Sequence, residues 1–324
     1  MGKDRKRIVK YFREYSWPEI FAMIKNNRKE PASCKEDFRG KLVVITGASS
    51  GIGYATARMY ASKGADLLCI NRNREKSEAL KGEIEKEFQV QCNYLLADLS
   101  SLEESHRVAA QLLELQRPID VLIHNAGIFL TRRELTPDGI EKVFMVNHLS
   151  SFIINYRLKN RLLSDNRARI ILVSSEGHRF AAWGLRTDDL NFSRHRYSGL
   201  KSYGSAKLAQ LLSMHYFEEY FRSSGVTINA MHPGAVKTDT GRDNGRIYQW
   251  YKKNILDRTL KPVSLSAEAL YYLGAARELA SVSGSFFNLT TLEEPAPPAK
   301  DREVAKELFE LSLKMGKLEP YGNE

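Results

Sequence analysis

Thr46-Gly47-Ala48-Ser49-Ser50-Gly51-Ile52-Gly53 is the stretch that decides the fold of this 324-residue chain. It follows an aliphatic run, Leu42–Thr46, and leads into a longer amphipathic segment. Glycines spaced in this way let the backbone turn sharply out of a strand and come close to a pyrophosphate. The phosphates then sit at the positive end of the next helix. A glycine cluster alone is a weak signal. Between a strand and a helix, near the start of an alternating chain, it is strong.

Outward from that loop the alternation continues. Short apolar runs read as buried strands over Leu42–Thr46, Asp66–Asn71, Cys92–Ala97, Val121–His124, Ile170–Ser174, Thr227–Met231 and Phe286–Leu289. Amphipathic stretches separate most of them, so the pattern predicts an α/β fold: a doubly wound parallel sheet with helices on both faces. Strands covered on both sides need not alternate, which accounts for Leu-Val-Val-Ile and Ile-Ile-Leu-Val. Pro295, Pro297 and Pro298 mark a break before a last helix, Asp301 to Met315. Residues 40–324 therefore read as one domain.

Residues 1–39 stand outside this rhythm and read as a basic amphipathic helical arm. Ile8, Val9, Phe12 and Tyr15 share one helical face among lysines and arginines. Ser16-Trp17-Pro18-Glu19 reads as a capping box for a second helix carrying Ile20, Phe21 and Ile24. Two readings of the arm stay open. It packs on the domain or a partner subunit, or it lies on a membrane surface as a peripheral contact.

Composition narrows the function classes. Lys+Arg is 49 against Asp+Glu 39, a formal charge of +10, which would suit nucleic acid, an anionic membrane or a phosphorylated cofactor. No helix-turn-helix spacing, zinc ligands or stacking motif accompanies the basic residues, so nucleic acid is not expected. Cys34, Cys69 and Cys92 show no metal-ligand spacing. A sparse, odd cysteine count with no signal-peptide pattern points to a reducing compartment, hence the cytoplasm. No apolar run reaches the ~20 residues of a spanning helix.

Further motifs follow in order: Asp98 after the third strand, Asn125-Ala126-Gly127 after the fourth, and Asn147-His148-Leu149 in the next helix. Ser174-Ser175 after the fifth strand, Tyr203-x-x-x-Lys207, and Pro233-Gly234 after the sixth complete the set. Together with the loop, this series resembles the short-chain dehydrogenases/reductases over roughly residues 40–313. Val173-Ser-Ser-Glu-Gly-His178 and Ser283-Gly284-Ser285-Phe286-Phe287 are similar to the group that holds the retinol dehydrogenases, WW-domain oxidoreductases and protochlorophyllide reductases. The loop spacing differs from the Gly-x-x-Gly-x-x-Gly usual in sugar-nucleotide epimerases, which share Tyr-x-x-x-Lys.

The resemblance implies a Rossmann-type fold and hydride transfer between NADP(H) and an alcohol or carbonyl. It implies Tyr203 as acid/base, Lys207 as the residue that tunes it and holds the nicotinamide ribose, Ser175 as the hydrogen-bond partner of the substrate oxygen, and Asn147 as the anchor of a proton-relaying water. A free phenol has a pKa near ~10, and a neighbouring cation favours its phenolate. Gly47, Ser49, Ser50, Gly51, Ile52, Gly53, Asn125, Ala126, Gly127, Pro233 and Gly234 would line the cofactor. Asp98 would meet the adenine, Leu99 would also line the cofactor, and Thr238 would contact the nicotinamide amide or the phosphates. Three Tyr-x-x-x-Lys copies exist, at 197/201, 203/207 and 248/252. The second carries small residues Gly204, Ser205 and Ala206 and opens a long helical run, so it is preferred.

At the end of the second strand, Ile70-Asn71-Arg72-Asn73-Arg74 lacks the acid that would bind the ribose hydroxyls of NAD. Arg72 there suits the 2′-phosphate of NADP. His124 stands where the family has its first Asn, and reads as a packed strand-end residue. The segment 235–261, with Tyr248, Trp250, Tyr251 and Ile255, reads as an apolar lid for a lipophilic substrate. A non-catalytic NADP-binding sensor or scaffold is the alternative. The family implies a homo-oligomer paired through the helices that carry the catalytic residues.

Overall fold

In the computed structural model, residues 10, 11, 13, 14, 26, 29–234 and 262–319 are described. Leu42–Thr46 forms strand β1, and the glycine turn hands it to helix α1, Gly51–Ala61. There follow β2 (Asp66–Asn71), α2 (Arg74–Phe88), β3 (Cys92–Leu96), α3 (Leu102–Leu113) and β4 (Val121–His124). A helical turn at Lys142–Phe144 and a π-helical turn at Met145–Leu149 run into α4 (Ser150–Asp165). The second half holds β5 (Arg169–Val173), α5 (Gly199–Phe221), β6 (Thr227–His232), α6 (Val263–Ala275), β7 (Phe286–Asn288), β8 (Thr291–Leu292) and α7 (Arg302–Met315).

The strands make one sheet in the order β3-β2-β1-β4-β5-β6-β7-β8. Every pair is parallel except β7 with β8. The chain winds outward from β1 to β3, then restarts beside β1 with β4. That reversal opens a crevice at the carboxyl ends of β1 and β4, where ligands bind in open sheets of this kind. The predicted runs match within a residue or two. β5 starts one residue earlier, at Arg169, and β6 extends to His232. The two-residue β8 was not foreseen, being too short to show a period.

Side chains of each strand alternate between two cores. Leu42 and Val44 of β1 face the layer of α3, α4, α5 and α7. Val43 and Ile45 face α1, α2 and α6. On the first side, Phe309 of α7 stacks on Tyr216 of α5 at 3.5 Å between ring centroids and meets Phe152 of α4 edge-on at 5.3 Å. Helix α7 thus covers part of the outer surface of α4 and α5, the helices through which oligomer pairing was expected.

The described part of the arm packs on the domain. Tyr11 is buried, its hydroxyl donates to Asp301 Oδ2 at 2.8 Å, and its ring lies against Gly184. Lys10 pairs with the same Asp301 carboxylate at 2.8 Å. Asn26 Nδ2 donates to Glu293 Oε2 at 3.0 Å. Ile8, Val9, Phe12, Tyr15, the capping box and the second helix face lie outside the described residues, as do Thr238 and the segment 235–261. Among the described residues, no helix is long and apolar enough to cross a membrane.

Candidate active site

The glycine loop is built by close approach. Gly47 and Gly51 take positive φ, 69° and 56°, a region costly for other residues. A Cβ on Gly53 would collide with the Gly47 carbonyl oxygen, so the third glycine lets α1 fold back on the turn that precedes it. Thr46 and Asn125 then lock this loop to the end of β4. Thr46 Oγ1 accepts from the N–H groups of Asn125 and Ala126, each at 3.0 Å. Asn125 Nδ2 donates to the carbonyls of Thr46 and Gly47, both at 3.0 Å.

Helix α1 is prepared for an anion. Its N-cap, Ser50, makes no side-chain cap, and its first turn holds no acid. The positive end of the helix therefore opens onto a cavity of about 340 Å³, walled by Ser49, Ser50, Gly51 and Ile52. Gly47, Arg72, Asp98, Leu99, Asn125, Ala126, Gly127, Pro233 and Gly234 join the same wall. Gly53 lies behind it as a packing residue. The cradle fits a dinucleotide, with Arg72 reaching it from after β2, Asp98 from after β3 and Pro233-Gly234 from after β6.

Ser175, Tyr203 and Lys207 come into that same cavity from two elements. Ser175 caps a 3-10 helix, Glu176–Ala181, and its Oγ accepts from Gly177 N–H at 3.0 Å. Tyr203 and Lys207 lie one turn apart on α5. Lys207 is buried, and its Nζ donates to the Val173 carbonyl at 2.7 Å, 5.8 Å from the centre of the Tyr203 ring. Burial pushes the Lys207 ammonium down to about 7, so near neutrality it exchanges its proton readily. Phe129 meets the Tyr203 ring edge-on at 5.8 Å.

Asn147 stands behind the cavity wall. Its Oδ1 accepts from Ile128 N–H at 2.7 Å and its Nδ2 donates to Ile128 O at 2.9 Å, so the side chain clamps the strand-end loop after Gly127. It lies in the π-helical turn, an irregularity that loosens helix hydrogen bonding and often accompanies functional sites. His148, next to it, is buried and bonds Ser312 of α7 through Nε2 at 3.0 Å.

The competing pair at 197/201 points elsewhere. Tyr197 donates to the Leu130 carbonyl at 3.1 Å, and Lys201 lies over the ring of Trp183. The pair at 248/252 lies outside the described residues. His124 is buried with its Nε2 facing Asn155 Oδ1 at 2.8 Å, and desolvation pushes it down to about 4. It is a packed strand-end residue, as expected from the sequence.

Several residues of the site were not anticipated. Lys142 reaches the cavity from the helical turn before Asn147, Val146 from the same π-helical turn as Asn147, and Asn71 and His232 from strand ends. His232 directly precedes Pro233, so its place in sequence was a usable signal. A further group, Glu176, Arg179 and Glu293, lies behind Ser175; Glu176 and Arg179 are three residues apart, but Glu293 follows the edge strand β8, 114 positions from Arg179, so no local spacing announces it.

Residues 41–185 match the family model described as short chain dehydrogenase. Over 292 residues the chain is 36% identical to human retinol dehydrogenase 13, covering 88% of this chain and 87% of that one. It is 33% identical over 287 residues to the WW domain-containing oxidoreductase of Drosophila melanogaster, covering 86% and 68%. The fold superposes on a crystal structure of an uncharacterised protein from Mycobacterium paratuberculosis with a TM-score of 0.69, at 26% identity, over 89% of this chain and 99% of the other. An alcohol dehydrogenase from the archaeon Thermococcus sibiricus, solved with 5-hydroxy-NADP, superposes with a TM-score of 0.55 at 26% identity, over 72% and 89%.

Proposed function

The chain belongs to the short-chain dehydrogenase family, and from that premise we propose that it is an NADP(H)-dependent oxidoreductase that interconverts a lipophilic alcohol and its carbonyl. The observation that carries this reading is the meeting of Ser175, Tyr203 and Lys207 with the glycine loop on one cavity. Arg72 in that wall, with no acid at the end of β2, supports NADP over NAD. The relatives named retinol dehydrogenase, and apolar wall residues such as Ile128, Leu130 and Val146, support a lipophilic substrate.

NADP(H), held by the glycine loop, Arg72, Asp98, Leu99, Asn125 to Gly127 and Pro233-Gly234, would supply or accept the hydride. The chain's own residues manage the proton. In the reducing direction, Ser175 Oγ donates a hydrogen bond to the substrate carbonyl oxygen and orients it. The Tyr203 hydroxyl gives that oxygen its proton as negative charge develops there. A charged Lys207 favours the resulting phenolate. Asn147 keeps Ile128 and the floor of the cavity in place, so that oxygen and hydroxyl stay within reach. We further propose a cytoplasmic location, with the basic arm as the candidate for peripheral membrane contact.

The test is oxidation of NADPH and NADH, followed by absorbance, with aldehydes of rising chain length and with polycyclic carbonyls. Turnover that prefers NADPH and grows with apolar size is expected. Tyr203→Phe should remove it, by on the order of 10²–10⁴-fold, with cofactor binding retained. NADPH binding without turnover on any carbonyl would favour the sensor or scaffold reading. A preference for small polar carbonyls would sink the lipophilic part alone.

A further inference from the structure

Behind Ser175 lies a half-buried polar cluster that the reaction above does not use. Arg179 belongs to the 3-10 helix that Ser175 caps. Its Nε donates to Glu176 Oε2, and its Nη2 donates to Glu293 Oε1 at 3.1 Å and to the Glu294 carbonyl at 3.0 Å. Glu293 is buried, and its Oε2 also accepts from Asn26 at 3.0 Å and from Asn288 at 3.2 Å. Nearby, the Ala296 N–H donates to His178 Nε2 at 3.0 Å, which leaves His178 Nδ1–H to donate to the Ser175 carbonyl at 2.7 Å. The segment 293–296 is thus fastened to the Ser175 turn through both Arg179 and His178.

We propose that Arg179 is a positioning residue for Ser175: together with Glu293 it ties the Ser175 turn to the segment after β8, and the charge on Glu176 adjusts that tie. The proposal rests on the functional reading above. Its physical basis is charge balance. A half-buried guanidinium between two carboxylates is neutralised by one of them, and the second, largely shielded from water, is then favoured in its protonated form.

Glu293 has three side-chain hydrogen-bond donors on its oxygens, whereas Glu176 Oε1 is buried without a partner. Glu176 is therefore the group that holds the proton. Burial, opposed by Arg179 and reinforced by Glu293, pushes its carboxyl up to about 7. The other titratable groups facing the cluster are His178 and His232, which desolvation pushes down to about 3 and about 4. Both stay neutral near pH 7, so Glu176 is the member that changes charge there. Once charged, it competes with Glu293 for Arg179 and places a net negative charge beside the turn that must stabilise a developing oxyanion. Carbonyl reduction should slow as pH rises through the Glu176 value.

The experiment compares the full chain with Arg179→Met, Glu176→Gln and Glu293→Gln. It measures NADPH binding by fluorescence, kcat on an aldehyde that the wild type reduces, and melting temperature from about pH 5 to pH 8. Arg179→Met should lower kcat roughly tenfold or more and leave NADPH affinity nearly unchanged, since small displacements of an orienting group weigh on the reacting geometry. Glu293→Gln should lower kcat in the same direction and by less, because the amide oxygen still accepts from Arg179. Glu176→Gln should keep the wild-type kcat below the Glu176 value and flatten its decline above.

Glu176→Gln should also flatten the melting profile. A carboxyl whose folded pKa is raised contributes stability that is lost as pH rises through that pKa. Wild-type kcat in Arg179→Met, or pH profiles of rate and melting that Glu176→Gln leaves unaltered, would overturn the proposal. If Arg179→Met does not fold, Arg179→Lys and Glu176→Gln decide by the same readouts. A wild type without turnover would refute the functional reading, while the melting profiles would still report on the cluster.

Discussion

Gly177 lies against the ring of Tyr203 so closely that a Cβ on it would come within 2.7 Å of Tyr203 Cε1 and 3.2 Å of Ser175 Oγ. The turn that presents Ser175 is therefore also a wall for the tyrosine. A reciprocal contact exists on α5, where a Cβ on Gly204 would meet the Gly177 carbonyl at 2.9 Å. The two glycines let the 3-10 helix and α5 approach until the serine and tyrosine share one cavity.

Gly177→Ala should accordingly push Tyr203 aside. Its kcat should fall on the order of tenfold to a hundredfold, because displacing a reacting group by about an ångström has effects of that size. NADPH affinity should change much less than kcat, since Gly177 is not among the cavity-lining residues and the glycine loop and Arg72 hold the cofactor from other elements. A steady-state comparison of kcat with directly measured cofactor affinity checks this. Unchanged kcat would mean that the tyrosine does not need this wall.

Lys207 predicts a pH dependence of stability. Burial lowers its folded pKa to about 7 from an ordinary value of 10.5. Between those values the unfolded chain binds more protons than the folded one, so this group's contribution to stability rises with pH and is lost as pH falls towards about 7. Lys207→Met should flatten the rise of melting temperature between about pH 7 and pH 9, measured without cofactor. The same variant should lose turnover. An identical slope in both proteins would show that the ammonium is better solvated than its burial implies.

Arg72 should decide between cofactors. A hydrogen bond to a charged group contributes about 1.5–3 kcal/mol, or roughly one to two decades of affinity. Arg72→Asp should therefore weaken NADPH binding by that factor and spare or improve NADH. Equal wild-type affinity for both dinucleotides, by fluorescence titration, would remove the basis for this prediction.

The parts legible in the sequence were those with a local period or a local turn. Strands β1 to β7 showed as apolar runs, and the glycine loop as a strand-to-helix junction. Helix α7 showed as an amphipathic run after three prolines, and its N-cap Asp301 was within reach of the same reading. Contacts between residues far apart in sequence did not show. Glu293 meets Arg179 across 114 positions, and Tyr11 meets Asp301 across 290. Neither spacing has a helical or strand period to betray it. The π-helical turn was invisible for another reason: Met145–Leu149 has the same apolar pattern as an ordinary helix start, and only the geometry of the backbone distinguishes it.

That turn carries the last prediction. Asn147 holds both backbone groups of Ile128, accepting from its N–H and donating to its carbonyl. Ile128 in turn lines the cavity beside Gly127. Replacing the amide should then separate two effects. Asn147→Ala leaves both Ile128 groups unpaired, and each buried unpaired group costs about 1–3 kcal/mol, so melting temperature and kcat should both drop. Asn147→Asp retains the acceptor for Ile128 N–H but loses the donor to Ile128 O and sets a carboxylate against that carbonyl unless it is protonated. Its activity should therefore recover at low pH, where the carboxyl can donate, while Asn147→Ala shows no such recovery. Ser312→Ala, which removes only the partner of His148 on the opposite side of the turn, should lower stability mildly and leave kcat close to wild type. Rate profiles and thermal melts of the three variants check the set, and an Asn147→Asp protein fully active above neutrality would show that the donor to Ile128 O is dispensable.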